Sequence, residues 1–316
     1  MSADIDNYNA DELVAPEWLN EHFFKDVLTH DHNDPNVKVI DFKISPATAK
    51  GDHYASIMFR AEIEYSIGDE KLSKPIIIKT MPEHKKEFLG EAKFFPTEIA
   101  MYTEVLPKLE AILREAGDET SLCAKCIYHT LEPRQVMVFE DLVPQGYSVV
   151  RKRVANLEEI KAAIAKLAKW HAVSFKLLKE DPTVFDKMKY DLTEVPNYLE
   201  QDFMKTSLPN LIKSLGKNDK LKGYLKYLEP LTETLLSRWV EIIREYRENR
   251  QEDAYYVLCH GDFHLKNMMF KGTECMLLDF QISYVGSMTC MPCIYSMAPK
   301  SVETDMSSLF IFTSLI

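Results

Sequence analysis

Between Tyr54 and Ile67 the chain alternates. Ile57, Phe59, Ala61, Ile63 and Tyr65 fall on one face, with mostly polar residues between them. A period of two over that length predicts a half-buried β-strand. Val37 to Ile44 alternates in the same way, with Val37 and Val39, a slip, then Phe42 and Ile44. The polar segment SPATAKGDHYAS between the two runs carries Gly51, and the whole reads as a hairpin with a long loop. Pro75 to Lys79 (PIIIK) predicts a buried strand that ends in a lysine. Gln135 to Phe139 (QVMVF) predicts another, closed by Glu140-Asp141-Leu142. Two helices interrupt these strands. Residues 15–30 form a short one with Trp18, Leu19, Phe23 and Leu28 as its apolar side, and Phe94 to Leu109 places Phe95, Ile99, Tyr102 and Leu106 at helical spacing.

After residue 150 the period changes to that of a helix. Ile160, Ile164, Leu167, His171, Phe175 and Leu178 mark a long amphipathic helix over 156–179. Asn156 with Glu159 three residues on has the form of a capping box. Leu228, Leu231, Leu235, Trp239, Ile242 and Tyr246 mark a second helix over 224–246, where Pro230 predicts a kink or a first turn. The intervening 181–222, with Pro182, Pro196 and Pro209, reads as irregular. Strands thus dominate the first 140 residues and helices the next 110, an α+β chain in two parts, 1–140 and 141–316.

Composition narrows the partners. The 316 residues carry 38 Lys and Arg against 49 Asp and Glu, a net charge of −11 with no long basic run. That argues against non-specific binding to nucleic acid or to an anionic membrane. No apolar run reaches the roughly 18 residues that span a bilayer. Met1 to Glu12 is acidic and polar rather than a signal peptide. The six cysteines, Cys123, Cys126, Cys259, Cys275, Cys290 and Cys293, are too few for a disulfide scaffold, so a reducing, cytoplasmic setting is expected. Two C-x-x-C pairs could in principle build a zinc site. However, 163 residues lie between Cys126 and Cys290, and free thiols are the simpler reading.

The densest chemistry lies in VLCHGDFHLKNMMFKGTECMLLDF, Val257 to Phe280. A short strand leads into the polar loop His260 to Asn267. A hairpin of Met268-Met269-Phe270 and Met276-Leu277-Leu278 then delivers Asp279. An aspartate and an asparagine five residues apart, with a second aspartate presented by the hairpin, suit phosphoryl transfer. One carboxylate accepts or orients the proton of the attacking hydroxyl, and the amide and the other carboxylate supply hard oxygen ligands for Mg²⁺. His171 sits on an apolar helix stripe and reads as a satisfied core histidine. His260 reads as a brace for the loop, and His264 as a candidate to face a substrate. An H-x-D-x-H metal site of a hydrolase would use His260, Asp262 and His264, but leaves Asn267, Asp279, Lys79 and Glu98 without a role.

These residues resemble the protein-kinase-like superfamily, through H-x-D-x-x-x-x-N, a hairpin and a strand-borne Asp-Phe. The HGD form is similar to the aminoglycoside- and choline-kinase branch. HGDFHLKNMMF…LLDFQIS, with IIIKTMP, FPTEIAMY and VFEDL, resembles the ecdysteroid-kinase-like family over about 35–290. The resemblance implies a two-lobed protein-kinase-like fold, a mainly antiparallel-sheet lobe followed by a helical one. It implies a monomeric, ATP- and Mg²⁺-dependent kinase acting on the hydroxyl of a small acceptor, steroid-like alcohols included. In those terms Asp262 is the catalytic base, and Asn267 and Asp279 are the metal ligands. Lys79 grips the phosphates, with Glu98 as its ion-pair partner. Glu140 to Leu142 form the hinge whose backbone holds adenine, and the loop Ala49 to Ser56, with Gly51, covers the phosphates. Tyr190, Tyr198, Phe203 and Met204 are candidates to line the acceptor pocket, or equally to pack a core.

Two departures stand against the resemblance. Asp279 is followed by Phe-Gln rather than Phe-Gly, which opposes a switchable activation loop; with HGD and the lack of an A-P-E segment it also opposes a protein kinase. After Thr289 the sequence runs Cys290-Met291-Pro292-Cys293, where the family carries Thr-hydrophobic-Asp-Leu and further helices. A chain ending in this way reads as a truncated form, unstable or catalytically impaired, with exposed apolar surface. A nucleotide-binding pseudokinase is the alternative that follows.

Overall fold

A computed structural model describes residues 13–48, 56–81, 93–151, 153, 155–188, 191–195, 197 and 199–288. The chain divides into two compact units. The first comprises 1–91 and 123–148, the second 92–122 and 149–316. The chain crosses between them three times, after 91, 122 and 148, and residues 92–122 group with the helical unit.

The first unit is an antiparallel five-stranded sheet. Its strands are β1 (Lys38–Pro46), β2 (Ile57–Ile67), β3 (Glu70–Thr80), β4 (Cys126–Thr130) and β5 (Val136–Glu140), in the order β1-β2-β3-β5-β4. The alternation read from β2 sets the core: Phe59, Ala61, Ile63 and Tyr65 are buried with Ile76 and Ile78 of β3 and Val136 and Val138 of β5. The slip in β1 is a register shift between Val39 and Asp41, a bulge that lets the apolar face resume on the correct side. β3 is longer than PIIIK suggested. It pairs with β2 from Ile57↔Thr80 to Ile67↔Glu70, closed by a turn at Gly68 with φ +58°. Its first half, Glu70 to Lys74, concealed it, because Leu72, which packs against the core, is the one apolar residue there and sets up no alternation.

Helix α1 (Glu21–His32) covers one face with Phe24, Val27 and Leu28 buried. It begins six residues later than expected because Asn20 caps it, its side chain accepting the Phe23 N–H at 3.2 Å. Asp31 near its end is held by Lys74 of β3 and, at 2.9 Å, by Lys125 ahead of β4. Burial opposes the charge of Asp31, but the two lysines outweigh it and hold its carboxyl below the usual range.

The second unit opens with α2 (Phe94–Ala100), a π-helical turn (Met101–Val105) and α3 (Leu106–Glu115), a longer path than the helix expected over 94–109. Next comes α4 (Leu157–Glu180), whose capping box is as read: Asn156 accepts the Glu159 N–H at 2.9 Å and Glu159 accepts the Asn156 N–H at 2.8 Å. Its buried face is rotated from the expected stripe. Ala163, Leu167, Trp170, His171, Ser174 and Leu177 are buried, while Ile164 is exposed. The reason is Trp170, the largest side chain of the helix, which takes the interior position.

The region read as irregular contains α5 (Asp202–Gly216), with Pro209 inside it and Met204, Leu208 and Leu211 buried. A short turn α6 (Leu225–Leu228) and a 3₁₀ turn (Glu229–Leu231) precede α7 (Leu235–Glu248), so the helix expected over 224–246 is broken around Pro230. Met204, Leu208, Leu228, Leu235, Trp239 and Ile243 pack with Val257 and Tyr284 as one core. Two small antiparallel pairs complete the unit. β6 (Tyr256–Cys259) pairs with β9 (Tyr284–Ser287), and β7 (Met268–Lys271) with β8 (Glu274–Leu277). The strand β9 lies beyond the runs read from the sequence. Among the described residues no helix is long and apolar enough to cross a membrane.

Candidate active site

The loop His260 to Asn267 leaves β6 and enters β7, and β8 leads straight to Asp279. A backbone bond closes the circuit: the Leu278 N–H donates to the Asn267 carbonyl at 2.9 Å. This brings the end of the hairpin beside Asn267 and sets Asp279 next to it in the chain.

Asp262 is the hub. Its Oδ2 accepts a hydrogen bond from Asn267 Nδ2 at 2.8 Å, and its backbone carbonyl accepts from the same Nδ2 at 3.0 Å. Its Oδ1 lies 3.2 Å from His264 Nε2. Burial opposes the charge on Asp262, but the bond to His264, its charge, and the bond from Asn267 prevail and hold the carboxyl below its usual range. The reverse holds for His264: burial favours the neutral ring, yet Asp262 and Asp279 raise its pKa. The candidate substrate histidine is therefore bound to the candidate base, a pairing that the spacing H-G-D-F-H does not reveal.

His260 is fully buried. Its Nδ1 accepts the Asp262 N–H at 3.3 Å, and its carbonyl accepts from Ser283 Oγ at 3.1 Å. Burial lowers its pKa to about 4, so it is neutral at pH 7. It braces the loop, as read. Behind it the buried ring of Phe280 stacks on Trp170 at 5.4 Å and meets Tyr102 at 5.3 Å. Trp170 Nε1 donates to the Leu258 carbonyl at 2.6 Å, and Ser174 Oγ accepts the Leu258 N–H at 3.1 Å. Trp170, Ser174 and Ser283 escaped the sequence reading; the apolar period of α4 was the one available signal for Trp170. His171 is buried, and burial alone lowers its pKa to about 4. Its Nε2 has no hydrogen-bond partner among the described residues, so it is a core histidine but not a satisfied one.

Two backbone positions are left-handed. Gly261 has φ +83°, and a Cβ there would sit 2.1 Å from the Ile282 carbonyl oxygen. Asp279 has φ +65°, unusual for a side chain-bearing residue and a mark of sites held by their surroundings.

The donors here are of the hard oxygen type that a divalent cation such as Mg²⁺ takes. Both Asn267 amide hydrogens point at Asp262, which leaves Oδ1 as the outward acceptor, and Asp279 adds a carboxylate. Mg²⁺ takes few protein ligands of this hard type and completes its shell with water and phosphate. Among the described residues no group of three or more His, Cys, Asp or Glu could hold a metal. Cys123, Cys126, Cys259 and Cys275 are in no disulfide among the described residues, and burial raises Cys275 to about 12, which makes it inert.

In the first unit Lys79 ends β3 and is buried; in the second Glu98 lies on α2 and is buried. The Glu140 carboxylate is engaged by the Lys125 N–H and by Gln145 Nε2, each at 2.8 Å, and Leu142 is buried in the turn that follows. Met204 belongs to the helical core rather than to an open wall. Gly51 and its loop, Tyr190, Tyr198, the Phe203 side chain, Cys290, Cys293 and the tail after Met288 lie outside the described residues. A cavity of about 440 Å³ in the second unit is lined by Phe185, Asp191, Tyr246, Arg247 and Tyr284 among others. No residue of 260–283 is part of its lining, so it is not assigned to the reaction.

The profile of the ecdysteroid kinase-like family matches residues 50–311. The chain belongs to this family. No curated protein matches the sequence. Among solved structures it is similar to the choline kinase of Cryptosporidium parvum Iowa II, at 12% identity and a TM-score of 0.36 over 78% of this chain and 59% of that one. It is also similar to the amicoumacin kinase hAmiN, solved with AMP-PNP, Ca²⁺ and Ami, at 11% identity and a TM-score of 0.37 over 85% of this chain and 66% of that one. The chain thus spans less than two thirds of the length of either.

Proposed function

We propose that this chain is an ATP-dependent phosphotransferase whose acceptor is the hydroxyl of a small molecule. The observation that carries the reading is the Asp262–Asn267 clamp with Asp279 beside it. One ionised carboxylate is held ready by donors, and two hard oxygen groups are left for a cation. Family membership supports the same chemistry.

In this reading Asp262 orients the acceptor hydroxyl and takes its proton, since its carboxyl is ionised at neutral pH. Asn267 and Asp279 would hold Mg²⁺, which neutralises phosphate charge when bound. Lys79 would grip the phosphates. The Glu140–Leu142 backbone would hold the adenine. A steroid-like acceptor is one member of the class to be screened.

The experiment is transfer of the γ-phosphate from ATP to a panel of small alcohols, sterols included, with the wild type and Asp262→Asn. The expected result is transfer by the wild type that falls by about 10²–10⁴-fold in the variant, while nucleotide binding persists. Undiminished transfer by Asp262→Asn would refute the role of Asp262, and no transfer from ATP to any alcohol would refute the reading as a whole.

A further inference from the structure

The segment after β5 is unusually well tied. Asp141 is buried, and its carboxylate takes Arg60 Nε of β2 at 2.5 Å, Arg60 Nη2 at 3.4 Å and the Val143 N–H at 3.0 Å. The Asp141 N–H reaches the Pro75 carbonyl at 3.4 Å, and the Glu140 N–H reaches that of Lys125 at 3.0 Å. The Leu142 carbonyl accepts from the N–H groups of Gln145 and Tyr147, at 3.1 and 3.2 Å. One donor is left over: the Leu142 N–H makes no hydrogen bond among the described residues, although Leu142 is buried. Buried backbone donors are almost always paired, so one held unpaired between paired neighbours marks a place for a ligand acceptor.

Arg60 stands on the sheet face that also carries Lys79. Met58 pairs with Lys79, Arg60 with Ile77, and Ile77 with Phe139, and directly opposed residues share a face. The face that presents the lysine therefore also presents the guanidinium that fixes the end of β5.

We infer that the Arg60–Asp141 ion pair is a positioning device for base recognition: it locks residues 140–143 so that the Leu142 N–H points free toward a purine with a ring acceptor. This rests on the ATP reading above. An N–H donor favours adenine, whose N1 is an acceptor, over guanine, whose N1 carries a hydrogen. Neither Arg60 nor Asp141 needs to touch the nucleotide. A bidentate charged pair holds this geometry more firmly than a neutral one.

The test is calorimetric titration of the full chain with ATP, GTP and inorganic tripolyphosphate, each with Mg²⁺. It compares the wild type, Asp141→Asn and the double variant Arg60→Gln/Asp141→Asn. The double variant removes both charges together and leaves none buried without its partner. In both variants ATP should bind roughly tenfold more weakly, the loss of about one hydrogen bond. The preference for ATP over GTP should shrink by a similar factor, and tripolyphosphate, which has no base, should bind unchanged. Equal weakening of all three ligands, or no change in the ATP-to-GTP ratio, would overturn the positioning role alone. Failure of the wild type to bind ATP would overturn the nucleotide reading and this inference with it.

Discussion

In the sheet of the first unit, shape follows from repetition. Every second residue of β2 is buried, its partners on β3 and β5 supply Ile76, Ile78, Val136 and Val138, and the backbone is regular apart from the bulge in β1. Between His260 and Ser283 of the second unit there is little repetition. That stretch is held by single bonds: Asn267 to Asp262, Asp262 to His260, Leu278 to Asn267 and Ser283 to His260. Beneath them lies one buried aromatic stack. A repeated pattern distributes its stabilisation over many interchangeable contacts, so a single conservative change costs little. A loop built from unique contacts has no such reserve, and it can hold φ/ψ angles such as those of Gly261 and Asp279 that a regular element excludes.

The sharpest way to break this comparison is to damage each region once. Trp170→Ala removes the stack on Phe280 and the bond to Leu258, and is expected to cost about 3–5 kcal/mol in denaturant unfolding. Ile78→Val in the sheet core should cost only about 0.5–1.5 kcal/mol. Near-equal losses would show that the loop's support is as replaceable as the sheet.

Glycine substitutions sharpen the same contrast. Gly261→Ala meets the Ile282 carbonyl and an unfavourable φ together, and should lose roughly 3 kcal/mol or more. Gly68→Ala, in the open turn between β2 and β3, meets nothing within 4 Å. It should lose only the left-handed penalty of about 1–2 kcal/mol. Unfolding midpoints of the two variants check this directly.

The sheet has its own electrostatic dependence. The folded pKa of Asp31 is lowered, so its ionised form stabilises the fold. That contribution is complete above the unfolded value near 4 and is lost as pH falls through the lower folded value. Asp31→Asn should destabilise by about 1–3 kcal/mol at pH 7. The difference from wild type should narrow only below about pH 4. A difference that stays constant down to pH 2 would contradict the ion-pair account. A comparably small effect belongs to a helix end: Asn156→Ala opens the capping box of α4 and should cost about 1 kcal/mol.

The same contrast explains what the sequence could disclose. β2, β5 and the capping box at Asn156 were legible because periodicity and caps are local. The first half of β3 was not, since Glu70 to Lys74 carry a single apolar residue, Leu72, and owe their strand state to pairing with β2. Helix α5 was hidden by the argument from prolines. Pro209 is tolerated because Met204, Leu208 and Leu211 anchor the helix on both sides of it. At the site, the residue types and their spacing were legible as a motif. The His264–Asp262 pair and the demand for glycine at 261 were not, because each depends on geometry the spacing leaves open. In the case of Gly261 the constraint is set by Ile282, twenty-one residues later.

The proposed function turns on Asp279, delivered by the β7–β8 hairpin, as the residue that would bind Mg-ATP together with Asn267. The most direct measurement is the thermal stability of the wild type and of Asp279→Asn with and without Mg-ATP. The wild type should be stabilised by about 2.7 kcal/mol at about one hundred times the dissociation constant, and Asp279→Asn should show little or no stabilisation at the same concentration. Equal stabilisation of the two proteins, or none of the wild type at saturating Mg-ATP, would contradict the account.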